Sequence, residues 1–291
     1  MKQLILYTGL VLLLAGCQPT DTQNLPKQPS GRLRYDVQHP NQKFFMPDRL
    51  EEISGITYSQ PNELLCVQDE EGKVFVYDMT EKRVKQSLRF GKDGDYEDLA
   101  LLGKDVYVVK SNGVLHRFAL TDDKKAADEE LPTPLNEDND IEGLCLDAQA
   151  NQLWLACKSN AGIGEDTVRG YAVYAYDLAR RQLDSVPVIR FQRKDIEPFV
   201  TSSSGKKKKM DSFKPSAIAI HPLENRVYVL SANSRFLVVL NRDGTVFEAI
   251  ALSPKVFRQP EGLCFSPEGE MYISSEGNGQ AGYILRFEYL R

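Results

Sequence analysis

Histidine and tryptophan are scarce in this chain, at three and one residues. The histidines are His39, His116 and His221, and no thiolate or imidazole cluster suggests zinc. There is no G-x-S-x-G elbow, no H-E-x-x-H pair and no EF-hand loop, so the familiar serine-hydrolase, metalloprotease and calcium-loop signatures are absent. Gly277-Asn278-Gly279-Gln280-Ala281-Gly282 matches G-x-G-x-x-G literally, but it precedes a strand-like run rather than a helix, which argues against a dinucleotide site. A net charge of −5 with no basic stripe speaks against nucleic acid as a partner. No long amphipathic helix is visible. None of the five cysteines forms a C-x-x-C, and Cys66, Cys145, Cys157 and Cys264 lie inside apolar runs, as small buried residues do.

What the chain does have is a repeat. Ile53-Ser54-Gly55-Ile56, Tyr96-Glu97-Asp98-Leu99, Ile141-Glu142-Gly143-Leu144, Pro215-Ser216-Ala217-Ile218 and Pro260-Glu261-Gly262-Leu263 read alike, and their second residues are spaced by 43, 45, 74 and 45 positions. A period of about 40–50 residues signals a propeller or solenoid. Each repeat divides into runs rich in Val, Ile, Tyr and Phe, bounded by Gly, Asn and Asp turns. Four such strands make one propeller blade. The expectation is an all-β, five-bladed propeller over residues 32–291, with six blades as the alternative. The fifth repeat runs out before its fourth strand, so the strand-like segment 32–38 (RLRYDVQ) is expected to complete it and close the ring, hiding an open edge. Residues 121–140 read as an acidic connector. Residues 158–170 read as a long loop and residues 192–214 as an insert before the fourth blade. The four lysines 206–209 in that insert read as a solvated loop, or as a contact for anionic lipid or polysaccharide.

The N-terminus stands apart. Lys2 is followed by an apolar stretch from Leu4 to Leu14 that is too short to span a bilayer and reads as a signal-peptide core. Leu14-Ala15-Gly16-Cys17 resembles a bacterial lipobox, implying a signal peptide over 1–16 and lipidation of Cys17. Each buried CH₂ of an acyl chain contributes about 0.8 kcal/mol, so several chains hold a protein stably to a membrane. Residues 17–31, rich in Pro, Gln and Thr, are expected to be a flexible tether. The location that follows is the cell envelope. Gln18 is not the aspartate that retains many such lipoproteins in the inner membrane, which favours the outer membrane.

In a propeller the first strand of each blade lines the central channel, so Ser54, Glu97, Glu142, Ser216 and Glu261 converge on one axis. Glu52 points to the same side as Ser54. Carboxylates gathered there repel one another unless protons or a cation neutralise them, and an all-oxygen set suits Ca²⁺. A second set, Asp69, Lys110, Lys158, Ser231 and Glu276, closes the second strands and is expected at the same channel end. Lys110 and Lys158 are placed to pair with Glu97 and Glu142 or to bind an anionic ligand.

EISGITY, DYEDLALL, DIEGLCLD, KPSAIAIHP and QPEGLCFSPEGEMYISSEGN together resemble the SdiA-regulated (YjiK/CarP-like) β-propellers over about residues 32–291. The resemblance implies a five-bladed propeller with bound calcium in the cell envelope. It also implies Glu97, Glu142 and Glu261 as the leading metal ligands. Two functions are then in view. One is a monomeric calcium-binding lipoprotein that binds a small molecule or an envelope protein. The other is a calcium-dependent hydrolase of lactonase-like or phytase-like type.

Overall fold

The computed structural model describes residues 33–200 and 213–290, so the signal peptide, Cys17, the tether and the lysine run lie outside the described residues. The strands fall in chain order into one leading strand and five sheets. The leader is β1 (Gln42–Phe45). Blade one holds β2 (Ile53–Gln60), β3 (Glu63–Gln68), β4 (Lys73–Asp78) and β5 (Arg83–Arg89). Blade two holds β6 (Tyr96–Leu102), β7 (Asp105–Lys110), β8 (Leu115–Ala119) and β9 (Glu129–Leu131). Blade three holds β10 (Ile141–Asp147), β11 (Gln152–Cys157), β12 (Tyr171–Asp177), β13 (Gln182–Leu183) and β14 (Ile189–Phe191), with both short strands pairing with β12. Blade four holds β15 (Ala217–Ile220), β16 (Val227–Ser231), β17 (Phe236–Leu240) and β18 (Val246–Ala251). Blade five holds β19 (Pro260–Phe265), β20 (Met271–Ser275) and β21 (Tyr283–Phe287).

Each blade is an antiparallel meander, and β1 adds to β21 as the fourth strand of blade five. The first strand of every blade touches the first strand of the next, and β19 meets β2, so the ring closes. Five hydrophobic clusters fill the five gaps between blades. One example packs Val74, Leu88 and Phe90 of blade one against Leu99, Val106 and Phe118 of blade two. Another packs Trp154 and Val173 of blade three against Val227 and Val238 of blade four. With apolar contacts on both faces, strands such as β3, β16, β17 and β20 are buried along their whole length. That explains why they read as continuous apolar runs rather than as alternation.

Three expectations change. The ring is closed by Gln42–Phe45, not by residues 32–38. The earlier segment instead anchors Tyr35 and Val37 in the core between blades four and five. There His221 Nδ1 accepts the Leu223 and Glu224 N–H groups, leaving Nε2 to donate to the Tyr35 hydroxyl at 2.6 Å. That hydroxyl donates in turn to the Gly269 carbonyl, and burial lowers the His221 pKa to about 4. Second, the acidic connector carries β9, the outer strand of blade two, which is too short and too charged to show a strand pattern. Third, the insert begins with a short helix, Arg193–Ile196, and a 3-10 turn, Glu197–Phe199, after which Phe213 returns to the core. The four cysteines after Cys17 are free and buried.

Candidate functional site

The antiparallel registers place the end of each second strand beside the start of the first: Ile53 faces Gln68, Tyr96 faces Lys110, Ile141 faces Cys157 and Pro260 faces Ser275. Both sets of sequence-derived residues therefore meet at one mouth of the channel. In four blades the ladder slips at the repeat motif itself, at Ser54-Gly55, Glu97, Glu142 and Glu261-Gly262. A bulge leaves its extra residue out of the ladder and re-aims the side chain. The glutamates thus leave the sheet for the channel. The motif glycines serve a different need. A Cβ on Gly55 would lie 2.5 Å from the Asp98 Cα, and one on Gly262 would lie 2.5 Å from the Ser54 carbonyl oxygen. Glycine is required where adjacent blades come closest to the axis.

Carboxyl groups dominate this mouth. Burial raises the Glu97 pKa to about 10, with Glu142 and Asp95 adding to the effect, and the Glu97 and Asp95 carboxyls are within hydrogen-bonding reach of each other. Two carboxyls that close require a shared proton or a cation. Burial likewise raises Glu261 to about 8, reinforced by Glu142 and Glu276, and Glu276 to about 7, reinforced by Asp69, Glu52 and Glu142. Asp69 is pushed up by burial and by Glu52, and its Oδ1 is buried without a hydrogen-bond partner. Glu142 is also raised by burial, against the pull of Lys158. Lys158 forms an ion pair with Glu142 and lies 3.8 Å from Asp140. Burial alone would lower its pKa, but these carboxylates hold the ammonium charged.

The remaining sequence-derived residues separate from this group. Lys110 places its ammonium 5.5 Å from the Tyr96 ring centre rather than on Glu97. The Ser216 hydroxyl donates to the Pro260 carbonyl at 3.0 Å and accepts from the Ala232 N–H, linking blades four and five. Ser231 Oγ accepts from the Lys214 N–H, and the Ser54 side chain turns back to the Glu52 carbonyl. These serines make local or inter-blade bonds.

Sequence reasoning missed Asp95, Asp140 and Asp98. Asp98 occupies the position held by glycine or alanine in the other four repeats. It is 1% exposed, and its two oxygens accept the Leu99 and Leu144 N–H groups, both at 2.8 Å, tying blade two to blade three. Its place as the odd residue in a small-residue column was the available signal. The far mouth was missed as well. It is a funnel of about 560 Å³ lined by Tyr58, Leu101, Leu146, Ile220 and Phe265. Thr57, Ser59 and Ser266 share that lining and no charged residue does, so the titratable chemistry lies at the mouth opposite to it.

The SdiA-regulated family model matches residues 35–279. The chain belongs to the SdiA-regulated family. No curated protein matches the sequence. Among solved structures, the chain is similar to the glutaminyl cyclase of Myxococcus xanthus, with a TM-score of 0.56 and 11% identity over 86% of this chain and 95% of that one. It is similar to a luciferin-regenerating enzyme, with a TM-score of 0.52 and 11% identity over 87% and 96%. It is also similar to the PQQ-bound aldose sugar dehydrogenase of Streptomyces coelicolor, with a TM-score of 0.51 and 13% identity over 86% and 97%. At these identities the likeness is one of fold alone, and this SdiA-regulated chain takes no chemistry from it.

Proposed function

We propose that this chain is a calcium-binding propeller, anchored in the cell envelope through lipid on Cys17, whose acidic channel mouth binds a ligand or protein partner in a calcium-dependent way. The observation that carries the proposal is the Glu97–Asp95 carboxyl pair, set among Glu142, Glu261, Glu276 and Asp69. Its donors are all oxygen, which suits Ca²⁺, and the orphaned Oδ1 of Asp69 is a further acceptor without a partner. Glu97, Glu142 and Glu261 are not gathered into one tight cage, because among the described residues they do not bring three carboxylate oxygens within 4.8 Å of one another. The set therefore fits a partly hydrated ion held by Glu97 and Asp95, with Glu142, Glu261 and Glu276 supplying charge around it. Calcium takes six to eight ligands in flexible geometry and accepts water among them. When bound it supplies positive charge that replaces the protons on these carboxyls.

The test is calorimetric titration of calcium into the full chain beside Glu97→Gln and Glu261→Gln. The expected outcome is binding that Glu97→Gln weakens most. No calcium binding by the unmodified chain at millimolar concentration would overturn the reading. The anchor is tested separately by fatty-acid labelling, which Cys17→Ser is expected to abolish.

A calcium-dependent hydrolase is the second reading. It is favoured by carboxyls raised to about 7 and 8 at Glu276 and Glu261, the range where a side chain exchanges protons at neutral pH. Turnover of a lactone or phosphoester lost in Glu261→Gln, with calcium binding retained, would establish it.

A further inference from the structure

Blade two carries a second cluster of ligating side chains, on its outer strands β8 and β9 rather than on the channel-lining β6. The register of β8 and β9 sets His116 directly opposite Glu130. Asp128, two residues earlier, projects from the same face by the two-residue alternation of extended chain. One ligand atom from each of the three lies within 4.8 Å of the others, the only such group of three among the described residues. His116 Nδ1 is 2.8 Å from Asp128 Oδ2.

The surroundings argue that this is more than chance crowding of acids. His116 is only 4% exposed, its ring packed against both Phe90 and Tyr96, and its Nε2 is buried with no hydrogen-bond partner. Among the described residues no lysine or arginine pairs with Asp128 or Glu130. Two arginines are nearby, but Arg117 and Arg181 both go to Glu129, which points to the other side of β9. Strand alternation therefore sorts the charges. One face of β9 is neutralised by arginine, and the other leaves two carboxylates with a single imidazole.

We propose that His116, Asp128 and Glu130 bind a first-row divalent transition metal, with Zn²⁺ the best match. An imidazole nitrogen and carboxylate oxygens are all donors that Zn²⁺ takes, and with solvent in the fourth position three of them complete a tetrahedral shell. The imidazole separates this site from the all-oxygen channel mouth, since Ca²⁺ and Mg²⁺ take oxygen ligands. The metal clips the three-residue outer strand β9 to β8 and pins the acidic segment that precedes it. Neither the site nor its test depends on calcium at the channel.

The experiment uses the full chain in mild detergent, stripped with chelator and titrated with Zn²⁺ alone, then with Co²⁺ as an absorbing probe. The expected result is one Zn²⁺ per chain, with affinity weakened roughly tenfold or more in Glu130→Gln and in His116→Gln. Glu97→Gln is expected to leave Zn²⁺ affinity unchanged. Glu130 is exposed, so its variant tests the site without threatening the core. Bound Co²⁺ is expected to give a visible d–d band that is lost in Glu130→Gln. Absence of Zn²⁺ binding up to on the order of 100 µM, or binding unchanged in both Glu130→Gln and Asp128→Asn, overturns the proposal.

Discussion

The two mouths of the channel are built by the same five strands and are chemically opposite. At one mouth the bulged starts of the strands present Glu97, Glu142 and Glu261, with Lys158 and Glu276 from the neighbouring strand ends. A few residues later the ladders of blades two, three and five are regular, and the first strands present Leu101, Leu146, Ile220 and Phe265, with Thr57 and Ser59, to an uncharged funnel. The difference lies in local geometry. A bulge takes a side chain out of the alternation that would bury it between blades, so a charged residue is tolerated beside the axis. Where pairing is regular, the pleat returns alternate side chains to the gaps between blades, where charge is excluded.

The comparison is broken most severely where the two regions join. Gly55→Ala places a methyl 2.5 Å from the Asp98 backbone, and the overpacking is expected to cost about 1–3 kcal/mol, read by urea unfolding. An unchanged unfolding midpoint would show that the blades are not in contact there. Asp98→Ala comes next. It strips acceptors from the Leu99 and Leu144 N–H groups, one of them across the blade interface, at a cost of about 1–3 kcal/mol for a buried donor left unpaired.

At the acidic mouth the effect is one of pH. Glu276, Glu261 and Glu97 titrate in the folded chain near 7, 8 and 10, above the ordinary glutamate value of 4.5. The folded state then binds more protons than the unfolded one, so stability falls as pH rises. The contribution is complete below about pH 4.5 and is lost progressively above it, until pH has risen through 7 for Glu276, 8 for Glu261 and 10 for Glu97. Calcium-free protein is expected to melt at a lower temperature at pH 9 than at pH 6, and Glu261→Gln to flatten that slope. On the calcium reading, affinity rises over the same interval and binding releases protons, measurable as heats that change with the ionisation enthalpy of the buffer. The smallest effect belongs to the uncharged mouth. Leu101→Ser changes a partly buried side chain at the edge of the cluster between blades one and two and is expected to cost about 1 kcal/mol, with calcium titration unaltered. A large change in calcium affinity in that variant would show that the two mouths are coupled.

Legibility from sequence followed the same division. The repeated EGL-like motifs gave the blade number and the column of glutamates, because a periodic fold repeats its local requirements at a fixed chain spacing. The fate of the N-terminal segment was not legible. Residues 32–38 and 42–45 are both short and partly apolar, and only docking decides that Tyr35 enters a core while Gln42–Phe45 pairs with β21. Strand β9 was hidden for a related reason: at three residues, two of them glutamate, it owes its pairing to β8 and not to its own propensity.

By itself the sequence determined the architecture, the five-fold spacing and the supply of carboxylates to one end of the channel, since these follow from covalent order and strand alternation. Tertiary structure alone decided which charges meet. It put Glu97 beside Asp95, gave Lys158 to Glu142 rather than leaving it free, seated Asp98 between two blades, and brought His116 against Asp128 and Glu130. Contacts within a blade make three of these, docking of blade two on blade three makes the Asp98 contact, and the closed ring sets the depth of burial. Desolvation and distance set the proton affinity of a carboxyl, and neither is written in the spacing of residues along a chain.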